Sequence, residues 1–163
     1  MNTIHIFGRN VNMIREYKRM SIKELAEVSG YNRIDLASLE LGRHDVSLES
    51  AVNISKALNR DFPFMLSKDF NVLGKLVGNK RILDYYIETD YLSIYIENLR
   101  KNIKKKNTTQ EYIADSSEVF SANLSRIMNK KIVPRLGTLE KFSDAIEMEL
   151  SVLFERTGGE AKV

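Results

Sequence analysis

The strongest constraint on this chain is an internal repeat. Ser21-Ile22-Lys23-Glu24-Leu25-Ala26 is echoed by Thr109-Gln110-Glu111-Tyr112-Ile113-Ala114, and the same offset of 88 residues carries Leu36 to Leu124, Leu39 to Ile127, Leu48 to Leu136 and Ala57 to Ala145. Apolar positions that recur at a fixed offset imply one structural unit built twice, because each copy must bury the same side chains. The copies run from about Arg9 to Ser67 and from about Tyr95 to Phe154, with a connecting segment between them.

Inside the first copy, Val11, Met13, Ile14 and Tyr17 keep the spacing of a helix with one buried face. Ser21 followed by Glu24 is the capping-box pattern and opens a short second helix, which Gly30 ends in the left-handed conformation. Asn32 caps a third helix, on which Ile34, Leu36 and Leu39 supply apolar contacts before Leu41-Gly42 stops it. Two short helices joined by a tight turn make a helix-turn-helix. Ser47 opens a fourth helix with Leu48, Ala51, Val52, Ile54, Ser55 and Leu58 on its inner side. Asp61 to Leu66 reads as a fifth, with Pro63 in its first turn.

The second copy has Thr109 as the cap and Tyr112 in place of the capping-box Glu. Glu118 stands at the Gly30 position, where a Cβ makes a left-handed turn about 1 kcal/mol more costly or gives the turn a different shape. Its third helix is expected from Ser121 to about Met128, its fourth from Thr138 to about Met148 and its fifth from Leu150 to Phe154. Between the copies, Asn71 to Gly78 reads as a short strand or irregular run, and Lys80 to Ile87 as helical. The next helix is expected to start at Thr89 or Asp90. Thr3 to Phe7 alternates weakly and is a candidate strand partner for Val72 to Val77. The fold expected is all-α: two tandem five-helix units over residues 1–68 and 94–156, a helical connector over 69–93 and a flexible tail over 157–163.

Composition removes several functions. There is no Cys, and His5 and His44 are the only histidines, so no disulfide, thiol nucleophile, thiolate zinc site or histidine-rich metal site is available. With no phosphate loop and no paired His and Asp, neither an enzyme nor a cofactor is expected. Apolar runs such as Phe62 to Leu66 fall far short of the ~20 residues that cross a bilayer, and the start of the chain lacks signal-peptide features, so a cytoplasmic protein without membrane contact is expected. The formal charge of +3 does not argue for nucleic acid; the placement of the basic residues must.

Arg15, Ser21 to Ala26, the run Leu36-Ala37-Ser38-Leu39-Glu40-Leu41-Gly42-Arg43, Ser47-Leu48-Glu49 and Ala57-Leu58 together resemble the Cro-like, phage-repressor (XRE-type) helix-turn-helix domain. The resemblance occurs twice. It implies a sequence-specific DNA-binding transcription regulator, of repressor kind, whose third helix lies in the major groove of double-stranded DNA. The positions it implies near bases are Asn32, Arg33, Ile34 and Ser38, with Ser21, Lys23, Arg43 and His44 near phosphates. In the second copy Thr109, Gln110, Ser121, Ala122, Asn123, Arg126, Lys130 and Lys131 correspond. Arg33 carries the planar fork suited to guanine.

The family's ion pair between its first and third helices falls on Arg15 and Glu40. In the second copy Met128 replaces Glu40, and a one-residue shortening before Thr109 would bring Asn102 or Lys104 near the Arg15 position. Ile22 departs from the family's Gln, which the second copy keeps as Gln110. Either one chain presents two reading helices about 34 Å apart, or chains pair through the apolar fifth element or the Tyr-rich connector. The homodimer is the expectation. Tyr85, Tyr86, Tyr91, Tyr95, Phe62, Phe64 and Phe154 are expected to pack the copies together or against a second chain. The departures at Ile22, Glu118 and Met128 sustain an alternative, a protein-binding module such as an antitoxin, with a protein partner and one degenerate helix-turn-helix.

Overall fold

A computed structural model describes residues 2–68 and 85–156. Among them the chain is all-α, with ten helices in order: α1 (Thr3–Tyr17), α2 (Ile22–Ser29), α3 (Arg33–Glu40), α4 (Leu48–Ala57), α5 (Phe62–Met65), α6 (Tyr91–Lys105), α7 (Gln110–Ser116), α8 (Ser121–Met128), α9 (Leu136–Ala145) and α10 (Leu150–Leu153). None is long and apolar enough to cross a membrane.

Local chemistry explains most boundaries. Ser21 and Glu24 form the full capping box, Asn32 accepts from the amides of Ile34 and Asp35, Ser47 from Ser50 and Thr109 from Tyr112. Asp90 caps α6, accepting from the Ser93 amide. Thr3 to Phe7 is helix rather than strand: Asn2 caps the His5 amide, and Thr3, Phe7, Val11 and Ile14 continue one buried helical face. Five alternating residues are too few to outweigh that longer period. The strand over 72–77, the helical residues 80–84 and the tail over 157–163 lie outside the described residues, and Tyr85 to Ile87 are not helical. α9 starts at Leu136, two residues before the expected Thr138, and ends at Ala145 because Glu147 turns left-handed at φ 55°.

The offset of 88 residues persists in the backbone. Positive φ angles pair Arg19 with Asn107, Gly30 with Glu118, Gly42 with Lys130 and Asn59 with Glu147. No residue is therefore lost between α6 and α7, and the Arg15 position belongs to Ile103 rather than to Asn102 or Lys104. Ile103 packs on the core that contains Met128, so an apolar pairing stands where the first copy has charges. Asn10 and Asn98 play matching parts. The Asn10 amide donates to the Met65 and Ser67 carbonyls at 2.9 and 2.8 Å, and the Asn98 amide to Leu153 and Glu155 at 2.9 and 3.0 Å. Each clamps the end of the short apolar helix to the first helix of its own segment.

Glu118 holds φ 56° where Gly30 holds 74°. Glu118→Gly should raise stability by about 0.5–1 kcal/mol, the relief of left-handed strain less the entropy that Gly adds to the unfolded chain. A thermal melt should shift upward; a downward shift would mean that the Glu118 turn is unstrained.

One continuous apolar core joins α1–α5 to α6–α10. Phe62 meets Phe154 edge-on at 4.9 Å and Tyr91 at 5.4 Å, and Tyr95 lies 5.1 Å from Phe154. Phe62, Phe64, Met65 and Leu66 are all buried within the chain, so the fifth element, one of the two expected dimer surfaces, is not free. Tyr86 is half-buried with the Lys56 ammonium 5.8 Å from its ring, whereas Tyr85 is exposed.

At the centre of this junction Ser47 and Arg135 form an antiparallel bridge. Leu48 N donates to Pro134 O and Leu136 N to Val46 O, both at 2.9 Å. Asp61 and Arg156 form a buried bidentate pair at 2.7 and 2.8 Å. The Tyr91 hydroxyl donates to the same carboxylate at 2.6 Å and Arg156 donates to Thr89 at 3.0 Å. Hydrogen bonding to Asp61 holds the Arg156 pKa above its ordinary value, and burial, with Asp61 beside it, raises that of Tyr91. The Thr3 amide donates to Glu140 at 2.6 Å.

Candidate nucleic-acid interface

α2 and α3 meet through a left-handed Gly30 that leaves one face of α3 on the core and the other on solvent. Leu36 and Leu39 are fully buried, while Ile34 is 75% exposed and Arg33 is exposed beside it. Ser38 is half-buried. Asn32 is exposed, but its side-chain oxygen is committed to the Ile34 and Asp35 amides at 2.9 and 3.0 Å, which leaves its NH2 as the free group. The Ser21 hydroxyl likewise accepts from the Glu24 amide at 3.0 Å. Lys23 and Arg43 are exposed. His44 is half-buried with its ring 6.3 Å from that of Tyr31.

The rear of α3 is held by charge. Arg15 Nε and Nη2 donate to the Glu40 carboxylate at 2.7 and 2.8 Å, its Nη1 to Met20 O at 2.8 Å, and the Asn12 amide to Glu40 at 2.7 Å. Hydrogen bonding to Glu40 outweighs the effect of burial and raises the Arg15 pKa. This is the helix-one to helix-three pair that the resemblance placed here. α1 also approaches α3 closely at Gly8, where a Cβ would fall 1.9 Å from the Leu39 carbonyl oxygen.

α7 and α8 repeat the arrangement with different side chains. Thr109, Gln110, Ser121, Ala122, Arg126 and Lys131 are exposed and Asn123 is half-buried, while Leu124, Ile127 and Met128 face the core. Arg126 donates to Asn123 Oδ1 at 3.2 Å, which pre-orients both. Lys130 is turned away from this group: it sits 3.6 Å from Asp90 and donates to Ser93, at the start of α6. Among the described residues no ion pair engages Arg33, Arg126 or Lys131. Lys104, Lys105 and Lys106 extend the basic ground at the end of α6.

Sequence reasoning missed Phe120, which is 82% exposed at the N-cap of α8 without a side-chain cap. The repeat itself held the signal, since the offset from Asn32 lands on Phe120. A phenyl ring at a cap position satisfies no amide, and this one is mostly open to solvent.

These pairs of short helices, each helix with one face on the core and the other on solvent, define a helix-turn-helix protein. Over 68 residues the chain is 32% identical to Control protein C.SmaI of Serratia marcescens, a stretch that covers 42% of this chain and 81% of that protein. The chain belongs to the XRE-type, Cro/C-like helix-turn-helix family. No protein-family model and no solved structure matches it significantly.

Proposed function

We propose that the protein is a cytoplasmic, sequence-specific DNA-binding transcription regulator, of repressor kind, built from two tandem five-helix units, α1–α5 and α6–α10. α3 and α8 enter the major groove of double-stranded DNA. The observation that carries this reading is the presence, twice in one chain, of a short helix with its apolar side locked on the core and, on the open side, polar side chains and an Arg that no ion pair engages among the described residues. Similarity to a control protein and the basic residues beside both helices support it. Arg33 and Arg126 read guanine, Asn123 adenine, and Ile34 and Ala122 thymine methyl groups. Lys23, Arg43, Gln110 and Lys131 hold phosphates, and the α2 and α7 N-termini at Ser21 and Thr109 add their amides. Lys130 steadies the second unit instead. No catalytic role is assigned.

Mobility shift with a pool of random-sequence duplexes tests this. Retarded DNA is expected, with affinity falling steeply as salt rises. Arg33→Ala and Arg126→Ala should each weaken binding to the recovered sequences by about 1–3 kcal/mol, roughly fivefold to 150-fold. Absence of any retarded duplex at low salt would overturn the reading.

One observation favours a second reading. Phe120 and Tyr112 are 82% and 55% exposed on the second unit, apolar ground on which a protein partner, as in an antitoxin, would dock. Recovery of a protein partner together with failure to retard DNA is the outcome that reading expects.

A further inference from the structure

The contacts that join α1–α5 to α6–α10 come in exchanged pairs. Leu48 N meets Pro134 O and Leu136 N meets Val46 O; position 136 is the counterpart of 48, and 134 of 46. Asp61 meets Arg156, while Glu149, the counterpart of Asp61, lies 3.7 Å from Lys68, the counterpart of Arg156. Contact of i with j accompanied by contact of j with i is the mark of a two-fold axis. Here the axis passes through one chain, at the antiparallel bridge of Ser47 with Arg135. α3 ends at Glu40 and α8 at Met128, each seven residues before its bridging residue, so the axis relates the two exposed helices.

Resting on the DNA reading above, we infer that one chain takes the place of a dimer, and that its target is a duplex site of two unlike half-sites in inverted order. Inversion follows because a two-fold protein matches the two-fold symmetry of the duplex backbone. A single chain suffices because the apolar residues of α5 are already buried within the chain, Phe62 against both Phe7 and Phe154. The half-sites differ because the two helices do. Asn32 is replaced by Phe120, Arg33 by Ser121 and Ser38 by Arg126. The first helix therefore presents its guanidinium in its first turn. The second presents it more than a turn later and offers a phenyl ring at its start, suited to a thymine methyl.

Selection of bound sequences from a random duplex pool by the intact protein is the test, followed by binding to the selected site and to its two symmetrised versions. Two clusters of specified base pairs are expected about one helical turn apart. One chain should bind per duplex by sedimentation equilibrium, and each symmetrised site should lose about tenfold for every mismatched base pair. Copying the exposed residues of α3 onto α8 with Phe120→Asn, Ser121→Arg, Ala122→Ile, Asn123→Asp and Arg126→Ser should transfer preference to the site symmetrised from the α3 half. A palindrome bound by two chains, a direct repeat, or a single specified cluster would overturn this inference while leaving the DNA reading intact. Recovery of no sequence at all would overturn both.

Discussion

Arg156→Met should destabilise the protein by about 3–5 kcal/mol, because it takes a bidentate guanidinium away from the buried Asp61 carboxylate. Asp61 is wholly buried and Arg156 is 4% exposed, so water cannot replace the lost partner. The Tyr91 hydroxyl still donates to that carboxylate, but a neutral donor does not replace the lost positive charge. For a chain of this size the loss corresponds to about 10 °C in melting temperature. Replacing the whole cluster, Asp61→Leu with Arg156→Met and Tyr91→Phe, should recover most of it, since an apolar set of similar volume carries no desolvation cost. Lys68→Met supplies the contrast: it removes the symmetry-related ion pair, whose side chains are 50% and 55% exposed, and should cost no more than about 1 kcal/mol. Equal losses at the two sites would mean that the junction is not organised around the buried pair.

Gly8→Ala should be almost as damaging and should abolish DNA binding as well. The added Cβ would lie 1.9 Å from the Leu39 oxygen and 2.9 Å from its carbon, and neither atom can rotate away because both are backbone. α1 must then move off the end of α3, which stretches the Arg15–Glu40 pair at 2.7 Å and tilts the exposed helix. Overpacking of this kind costs about 1–3 kcal/mol, and a backbone clash lies at the upper end or beyond. Circular dichroism melts and mobility shifts on the same preparation check both effects. An unchanged melt would show that α1 and α3 are not in close contact. The second segment carries Ile96 at this position, 3% exposed, so α6 cannot approach α8 by the same route.

Much of this was legible in the sequence because it is written locally. Caps at Ser21, Asn32, Ser47 and Thr109 act within one turn of chain, and the left-handed turns at Gly30 and Glu118 are single-residue properties. The Arg15–Glu40 pair was reached through family resemblance rather than from spacing. Contacts between the segments were not legible. Asp61 and Arg156 are 95 positions apart and belong to no periodic pattern. Phe62 and Phe64 read as apolar whether they face their own segment, the other one or a second chain, so the sequence does not tell an internal junction from a dimer surface. Lys130 looked like a neighbour of Lys131, and only the fold turns it back to Asp90.

The account stands on α3 and α8 lying in the major groove of a duplex. Dimethyl sulfate protection of the selected site reads guanine N7 there directly. Protection is expected at guanines in two stretches about one turn apart, with the first stretch lost in Arg33→Ala and the second in Arg126→Ala. Undiminished methylation throughout a bound duplex, or protection that neither substitution alters, would contradict it.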